Sequence, residues 1–379
     1  GHAGADAPIC KRIPVQAPDG RLARITSSTQ SCLSPKTAYC QLVCLSSFVC
    51  PDYPEAMSST LNPRSAPILL VGLARSGTTW LAKLLDSHPD TVYRHEPEAL
   101  PFFPPMPIIA GKEDAAVYGQ SLSRFVRGLV TLDRVNQAAT LPVFRKRGES
   151  LIRYQGRRAV TQLSKLAGNR LGNIRIPGNF AVGQSDGSRL VWKSVVSVGR
   201  IGCIRESVQP LHVVLLIRHP CGVIASRGQG VEQRVMAPVG PNEMTELLGS
   251  GSEVARSILE RTQLHTTYEL EAFRWALLNS LAVEAISDQP GCSIIRYEDL
   301  CTDPESVTGS LLASLNLSPS DQLLGFLRRS TSNTSPRFYG IYREKVSVDQ
   351  WRGSFPESIQ DRVSEIVRGT AAGRLYFGS

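Results

Sequence analysis

The sequence predicts an α/β fold: a central parallel sheet flanked by helices, with a P-loop-like strand-loop-helix at its heart. Three observations carry that prediction. The apolar run Pro67 to Leu73 reads as a buried strand, and the apolar spacing Trp80, Leu81, Leu84, Leu85 fits a helix that begins directly after a glycine loop. A second run, Leu211 to Ile217, is another buried strand that ends in Arg218-His219-Pro220, turns near Cys221-Gly222 and continues as Val223 to Arg227. Short strands at Leu190 to Ser194 and Cys292 to Tyr297 are separated by helical stretches, the longest from about Glu253 to Ser287.

Along the chain, residues 1 to about 60 lack sustained periodicity and are rich in Ser, Pro and Cys, so they read as an extension ahead of a domain spanning 61–379. A proline-rich loop, Pro101 to Pro107, follows the strand that ends at His95-Glu96-Pro97. The glycine- and proline-bearing stretch Gly228 to Gly251 reads as an interruption of the helix after Arg218 and as a candidate substrate lid. Helices then run to Arg368, and no internal repeat is present.

The loop Gly72-Leu73-Ala74-Arg75-Ser76-Gly77 is the most informative segment. Successive backbone N–H groups and the positive end of the following helix dipole converge on an anion in such a loop. Gly72 and Gly77 keep the spacing of G-x-x-x-x-G-K-[ST], but Thr78 stands where the lysine would reach a β- or γ-phosphate. The loop is poorly equipped to move a γ-phosphoryl group and well equipped to hold a 5′-phosphate beside a second anionic group. Arg218, at the carboxyl end of a strand, sits where open α/β sheets bind ligands, and its planar fork suits a phosphate; Ser226 adds a hydroxyl. A sheet-end salt bridge is the competing reading of Arg218.

Arg75-Ser76-Gly77-Thr78-Thr79-Trp80 and the Arg218/Ser226 pair together resemble the sulfotransferase family, which uses 3′-phosphoadenosine 5′-phosphosulfate (PAPS) and releases PAP. His95-Glu96-Pro97, Arg296-Tyr297-Glu298-Asp299-Leu300 with Asp303-Pro304, and Arg343-Glu344-Lys345 leading to Trp351-Arg352 extend the match over roughly residues 66 to 370. The segments Tyr93 to Pro97, Lys193 to Arg200 and Arg296 to Leu300 are most similar to Golgi carbohydrate sulfotransferases and their bacterial relatives. Arg75 departs from the lysine of the cytosolic phenol and steroid enzymes.

This resemblance implies that residues 75 to 80 hold the 5′-phosphosulfate. It implies that Arg218 and Ser226 hold the 3′-phosphate, and that Arg343, Lys345 and Arg352 lie on a basic loop closing over it. Trp80 and Tyr297 match the aromatic positions around the adenine, with a core role as the alternative. The implied reaction is in-line sulfuryl transfer to a hydroxyl or amine, with no metal required, a carbohydrate as the first acceptor class and a small alcohol, phenol or sterol as the alternative. Glu96 is the first candidate for the general base and His95 the second. Lys193 resembles the family lysine that approaches the transferring group, and a solvated strand-end lysine is its alternative.

The net charge of +9 favours anionic ligands without choosing among PAPS, acidic glycans, nucleic acid and membranes. The cluster Arg145, Lys146, Arg147, Arg153, Arg157, Arg158 either guides an acidic acceptor or is a solvated helix face. Cysteines 10, 32, 40, 44 and 50 suggest disulfides in a secretory or Golgi lumen, with a cytoplasmic location as the alternative. The stretch Tyr39 to Cys50 is too short to cross a bilayer, so any membrane anchor belongs to a removed N-terminal segment. No nucleic-acid partner is expected, and oligomeric state is left open. A P-loop kinase with an altered loop needs a lysine and a magnesium-binding carboxylate after a strand, where this chain has Arg218. A non-catalytic sulfated-glycan binder that kept the fold would bind oligosaccharide without consuming PAPS.

Overall fold

The computed structural model describes residues 66–138, 140–167, 188–332 and 348–378. The N-terminal extension, Arg343 and Lys345 lie outside the described residues. Five strands, β1 (Ile68–Val71), β2 (Thr91–His95), β3 (Arg189–Ser194), β4 (His212–Ile217) and β5 (Cys292–Arg296), form one sheet in the order β2-β3-β1-β4-β5. Every pairing is parallel, as the sequence predicts. Ile68 of β1 is registered with Val191 on one side and His212 on the other. The first strand is therefore central, and the chain order reverses at it, which opens a crevice beyond the carboxyl ends of β1, β3 and β4.

The apolar runs of β1 and β4 follow from burial on both faces. Alternation then splits their side chains between two cores. Leu69, Val71, Trp192, Val213 and Leu215 join one core, with α2 (Ala115–Leu129), α4 (Ile201–Ser207), α8 (Thr267–Ile286) and α12 (Glu357–Val367). Ile68, Leu70, Val191, Val214 and Leu216 join the other, with α1 (Thr78–Asp86), α10 (Pro304–Ser314) and α11 (Asp321–Ser332). The remaining longer helices are α3 (Leu151–Ala167), α5 (Pro220–Glu232), α6 (Pro241–Leu248), α7 (Glu253–Arg261) and α9 (Tyr297–Thr302). Among the described residues no helix is long and apolar enough to cross a membrane.

Two boundaries differ from the sequence reading, and one helical stretch is divided. Helix α5 runs through Gly228 and Gly230 to Glu232, because helical glycines cost only about 1 kcal/mol each and Gly230 is buried. The helical stretch from Glu253 to Ser287 resolves into two helices, α7 and α8. Thr266 caps α8 in a capping box with Glu269, giving the second helix its own start. Strand β5 stops at Arg296, and Tyr297 opens α9.

The basic cluster lies at the amino end of β2, away from the crevice. Lys83 of α1 is buried, donating to Asp86 Oδ2 at 2.7 Å and to the carbonyls of Thr140 and Pro142 at 2.8 and 2.9 Å. Lys146 reaches Asp86 Oδ1 at 3.0 Å. Arg157 grips Glu149 through Nε at 2.9 Å and Nη2 at 2.7 Å, and Arg147 pairs with Asp90, which immediately precedes β2. Lys146, Arg147 and Arg157 therefore serve as counter-ions in an ion-pair network, while Arg145, Arg153 and Arg158 are exposed.

Burial pushes the Asp86 carboxyl up, but Lys146 and Lys83 outweigh it and hold it at about 2, below the ordinary 3.8. A depressed carboxylate contributes stability above its unfolded pKa and loses it as the pH falls through the folded one. Asp86→Ala leaves two buried ammonium groups without their shared counter-ion. It is expected to cost about 3–5 kcal/mol in a urea titration at pH 7. The wild-type contribution should fade between pH 3.8 and about 2.

Candidate active site

The glycine loop leaves β1 directly against β4. A Cβ on Gly72 would lie 2.3 Å from the carbonyl oxygen of Leu216, so only glycine allows that approach. The chain turns at Arg75 (φ 78°) and at Gly77 (φ 94°), both in the left-handed region. Gly77 is the N-cap of α1 and provides no side-chain cap, so the first N–H groups of the helix point into the crevice without a capping side chain. A Cβ on Gly77 would lie 2.5 Å from the Tyr297 ring. Glycine is thus fixed there by both the backbone angle and the aromatic wall. Ser76 and Thr78 are buried and Thr79 is half-buried.

Arg75, Ser226 and Arg218 meet in one cluster. Arg75 Nε donates to Ser226 Oγ at 2.8 Å, and Arg218 Nη1 donates to the Arg75 carbonyl at 3.1 Å. The Arg218 guanidinium lies 4.8 Å over the Tyr297 ring. Its Nε is buried without a hydrogen-bond partner among the described residues. Among the described residues Arg218 makes no sheet-end salt bridge, the competing reading: its partners are a carbonyl and an aromatic face. A buried arginine donor left unsatisfied beside an uncapped helix start suits an anion.

Trp80 and Tyr297 are both core residues, each 1% exposed. They meet edge to face at 6.5 Å, and the Trp80 indole N–H donates to Ser330 Oγ at 3.0 Å. In this conformation neither ring offers an open face for stacking a base.

The carboxyl end of β5 is tied to the C-terminal helices through Glu298. Its Oε1 accepts from the His219 backbone N–H at 2.9 Å and its Oε2 from the Tyr376 hydroxyl at 2.8 Å. The His219 ring stacks on Trp351 at 4.2 Å, and burial, followed by the Arg352 charge, lowers its pKa to about 4. Arg352 lines the adjoining cavity of about 540 Å³ with Arg296 and His219. The Trp275 indole donates to the Arg218 carbonyl at 2.9 Å.

Glu96, His95 and Lys193 come together across the ends of β2 and β3, where His95 is registered with Lys193. The register places Lys193 also beside Leu70 and Ser194 beside Val71, so this trio adjoins the start of the glycine loop. Lys193 Nζ donates to Glu96 Oε1, and the Glu96 N–H donates to the Lys193 carbonyl at 2.9 Å. His95 Nδ1 shares a 2.7 Å hydrogen bond with the Tyr93 hydroxyl, and its Nε2 is 4.0 Å from Glu96 Oε1. Burial pushes the Glu96 carboxyl up, while Lys193, then His95, pull it down further, so the net direction is below the ordinary carboxylate value. Glu96 is half-buried and lines a cavity of about 470 Å³ with Glu98, Phe103, Met106, Val196 and Arg200.

Sequence reasoning missed Tyr93, Glu98 and Arg200. Arg200 donates to the carbonyls of Pro107 and Met106 at 2.6 and 2.9 Å, which fixes the proline-rich loop as a wall of the cavity. A carboxyl two residues after the candidate base was the one available signal for Glu98.

No curated protein matches the chain. Solved structures that resemble it include the sulfotransferase domain of the Synechococcus olefin synthase (17% identity over 82% of this chain and 97% of that one, TM-score 0.40), the sulfotransferase domain of the curacin biosynthetic pathway (18%, 79% and 96%, 0.38), and a mouse sulfotransferase complexed with PAP (13%, 82% and 88%, 0.36). A sequence profile of the sulfotransferase family matches residues 67–321, from the strand before the glycine loop to the start of α11. That span is well over half of the chain: the protein belongs to the sulfotransferase family and is a sulfotransferase enzyme.

Proposed function

We propose that the enzyme transfers the sulfuryl group of PAPS to an acceptor hydroxyl, with Glu96 as the general base. The observation that carries this reading is the Glu96–Lys193 pair, set at the ends of β2 and β3 beside the glycine loop and opening on a cavity. The N–H groups at Gly77, Thr78 and Thr79 bind the 5′-phosphosulfate, and Arg218 with Ser226 binds the 3′-phosphate. Arg75 orients Ser226. The acceptor oxygen forms its bond to sulfur as the bond to the 5′-phosphate oxygen breaks, and the hydroxyl proton passes to Glu96. Lys193 offsets the negative charge on the departing oxygen. Positioning and charge stabilisation do most of the work in a loose transfer of this kind. His95, oriented by Tyr93, is the second candidate for the base.

The acceptor proposed first is a carbohydrate, from the resemblance of the sequence to carbohydrate sulfotransferases. The cavity lining favours an uncharged acceptor. Phe103, Pro104, Pro105, Met106, Val195 and Val196 supply an apolar wall, and Arg200, the cation among the described lining residues, spends two donors on carbonyls. A neutral sugar face packs on such a wall, and so does a small apolar alcohol, the second reading. A polyanionic glycan would meet the Glu96 carboxylate.

Glu96→Gln should lower kcat by about 10²- to 10⁴-fold while PAP affinity, read by calorimetry, stays unchanged; loss of PAP binding instead would make Glu96 structural. Arg218→Ala should weaken PAP binding by about 1.5–3 kcal/mol, and PAP binding should be indifferent to added magnesium or chelator. Tight binding of ATP with magnesium in preference to PAP would overturn the reading. Because Lys193 leads the groups pulling Glu96 down, Lys193→Met should move the acid limb of the kcat profile to higher pH; an unmoved limb would mean another group titrates there.

A further inference from the structure

The turn that carries Glu96 is held at two points on β3. Glu96 lies at φ 43°, ψ 54°, left-handed backbone for a residue with a side chain, and caps a single turn of 3-10 helix, Pro97–Ala99. Such a conformation persists only where the surroundings enforce it. One constraint is the Glu96 N–H bond to the Lys193 carbonyl. The other is Glu98, whose Oε1 accepts from the Trp192 indole N–H at 3.0 Å and from Ser197 Oγ at 2.9 Å.

Trp192 and Lys193 are successive residues of β3, so their side chains leave opposite faces of the sheet. The turn therefore straddles the end of the strand, with Glu96 on Lys193 and Glu98 on Trp192. Both anchors on the Glu98 side are immobile: Trp192 and Ser197 are fully buried, and the Trp192 ring meets Phe125 edge to face at 5.4 Å. Ser197 is fixed by its own N–H bond to Ser194 Oγ at 3.1 Å.

We infer that Glu98 is a positioning residue, clamping the Glu96 turn to β3 so that the Glu96 carboxylate stays against Lys193 at the mouth of the acceptor cavity. This rests on the assignment of Glu96 as the base. Glu98 Oε2 is buried without a hydrogen-bond partner among the described residues. Burial pushes the Glu98 carboxyl up, and the Ser194, Ser197 and Trp192 donors only partly oppose it. The side chain is thus used for its accepting oxygen Oε1, which a glutamine amide reproduces.

The test compares Glu98→Ala, Glu98→Gln and Glu96→Gln for kcat, KM for PAPS and PAP affinity. A misplaced base costs about 10²-fold, so Glu98→Ala should lose about that much kcat with PAP affinity intact, and Glu98→Gln should recover most of it. Wild-type kcat in Glu98→Ala overturns the inference, as does a parallel loss of PAP affinity or a glutamine variant as impaired as alanine. If Glu98→Ala does not fold, the double variant Trp192→Phe with Ser197→Ala removes the two donors to Oε1. Reduced kcat there with PAP affinity kept supports the clamp, and unchanged kcat refutes it. A Glu96→Gln enzyme that still turns over removes the base assignment and this inference with it. An inactive Glu96→Gln beside a normal Glu98→Ala removes this inference alone.

Discussion

The architecture depends on the close contact between Gly72 and the backbone of β4. Without a side chain at 72, β1 can release its loop flush against Leu216, and the crevice opened by the reversal of strand order at β1 stays clear. Two later residues build on that placement. Arg75 in left-handed conformation carries its guanidinium across to Ser226 on α5, and Gly77 lets the loop lie on Tyr297 at the start of α9. Segments distant in sequence are thereby fixed to one loop by contacts that tolerate no added atoms. An anion seated there meets donors already in place, and little ordering entropy remains to be lost on binding.

The buried charges divide by the ends of the sheet. At the amino end of β2, Lys83, Lys146 and Asp86 satisfy one another and backbone carbonyls almost completely. At the carboxyl ends, Lys193 is buried against a carboxylate that is itself half exposed, and Arg218 keeps a donor in reserve. Saturated networks hold a fold, and unsaturated ones have capacity left for a ligand. A basic run in the sequence does not reveal which kind it belongs to, since that depends on partners such as Asp86 and Glu149 that only the fold brings close.

What the sequence disclosed follows the same division. Strands were legible because burial on both faces demands unbroken apolar runs, and the glycine loop because its spacing is set by local backbone geometry. Arg218, Ser226 and the Glu96 turn could be picked out because each sits at a strand end or in the helix that follows. Trp80 was ambiguous: an aromatic one turn into a helix suits a base or a core equally, and the Ser330 hydroxyl 250 positions away commits it to the core here. The role of Glu98 could not be read for a similar reason. Its partners, Trp192 and Ser197, lie 94 and 99 positions downstream, and no local pattern encodes them.

The four tryptophans of the chain are all at or beside this machinery: Trp80 against Tyr297, Trp192 on Glu98, Trp275 on the Arg218 carbonyl and Trp351 stacked on His219. None is spent on a remote part of the domain. Indole emission, sensitive to polarity and to neighbouring charge, is therefore a label that the protein already carries. Its steady-state spectrum and quenching report on the crevice without a dye, an engineered reporter or knowledge of the acceptor.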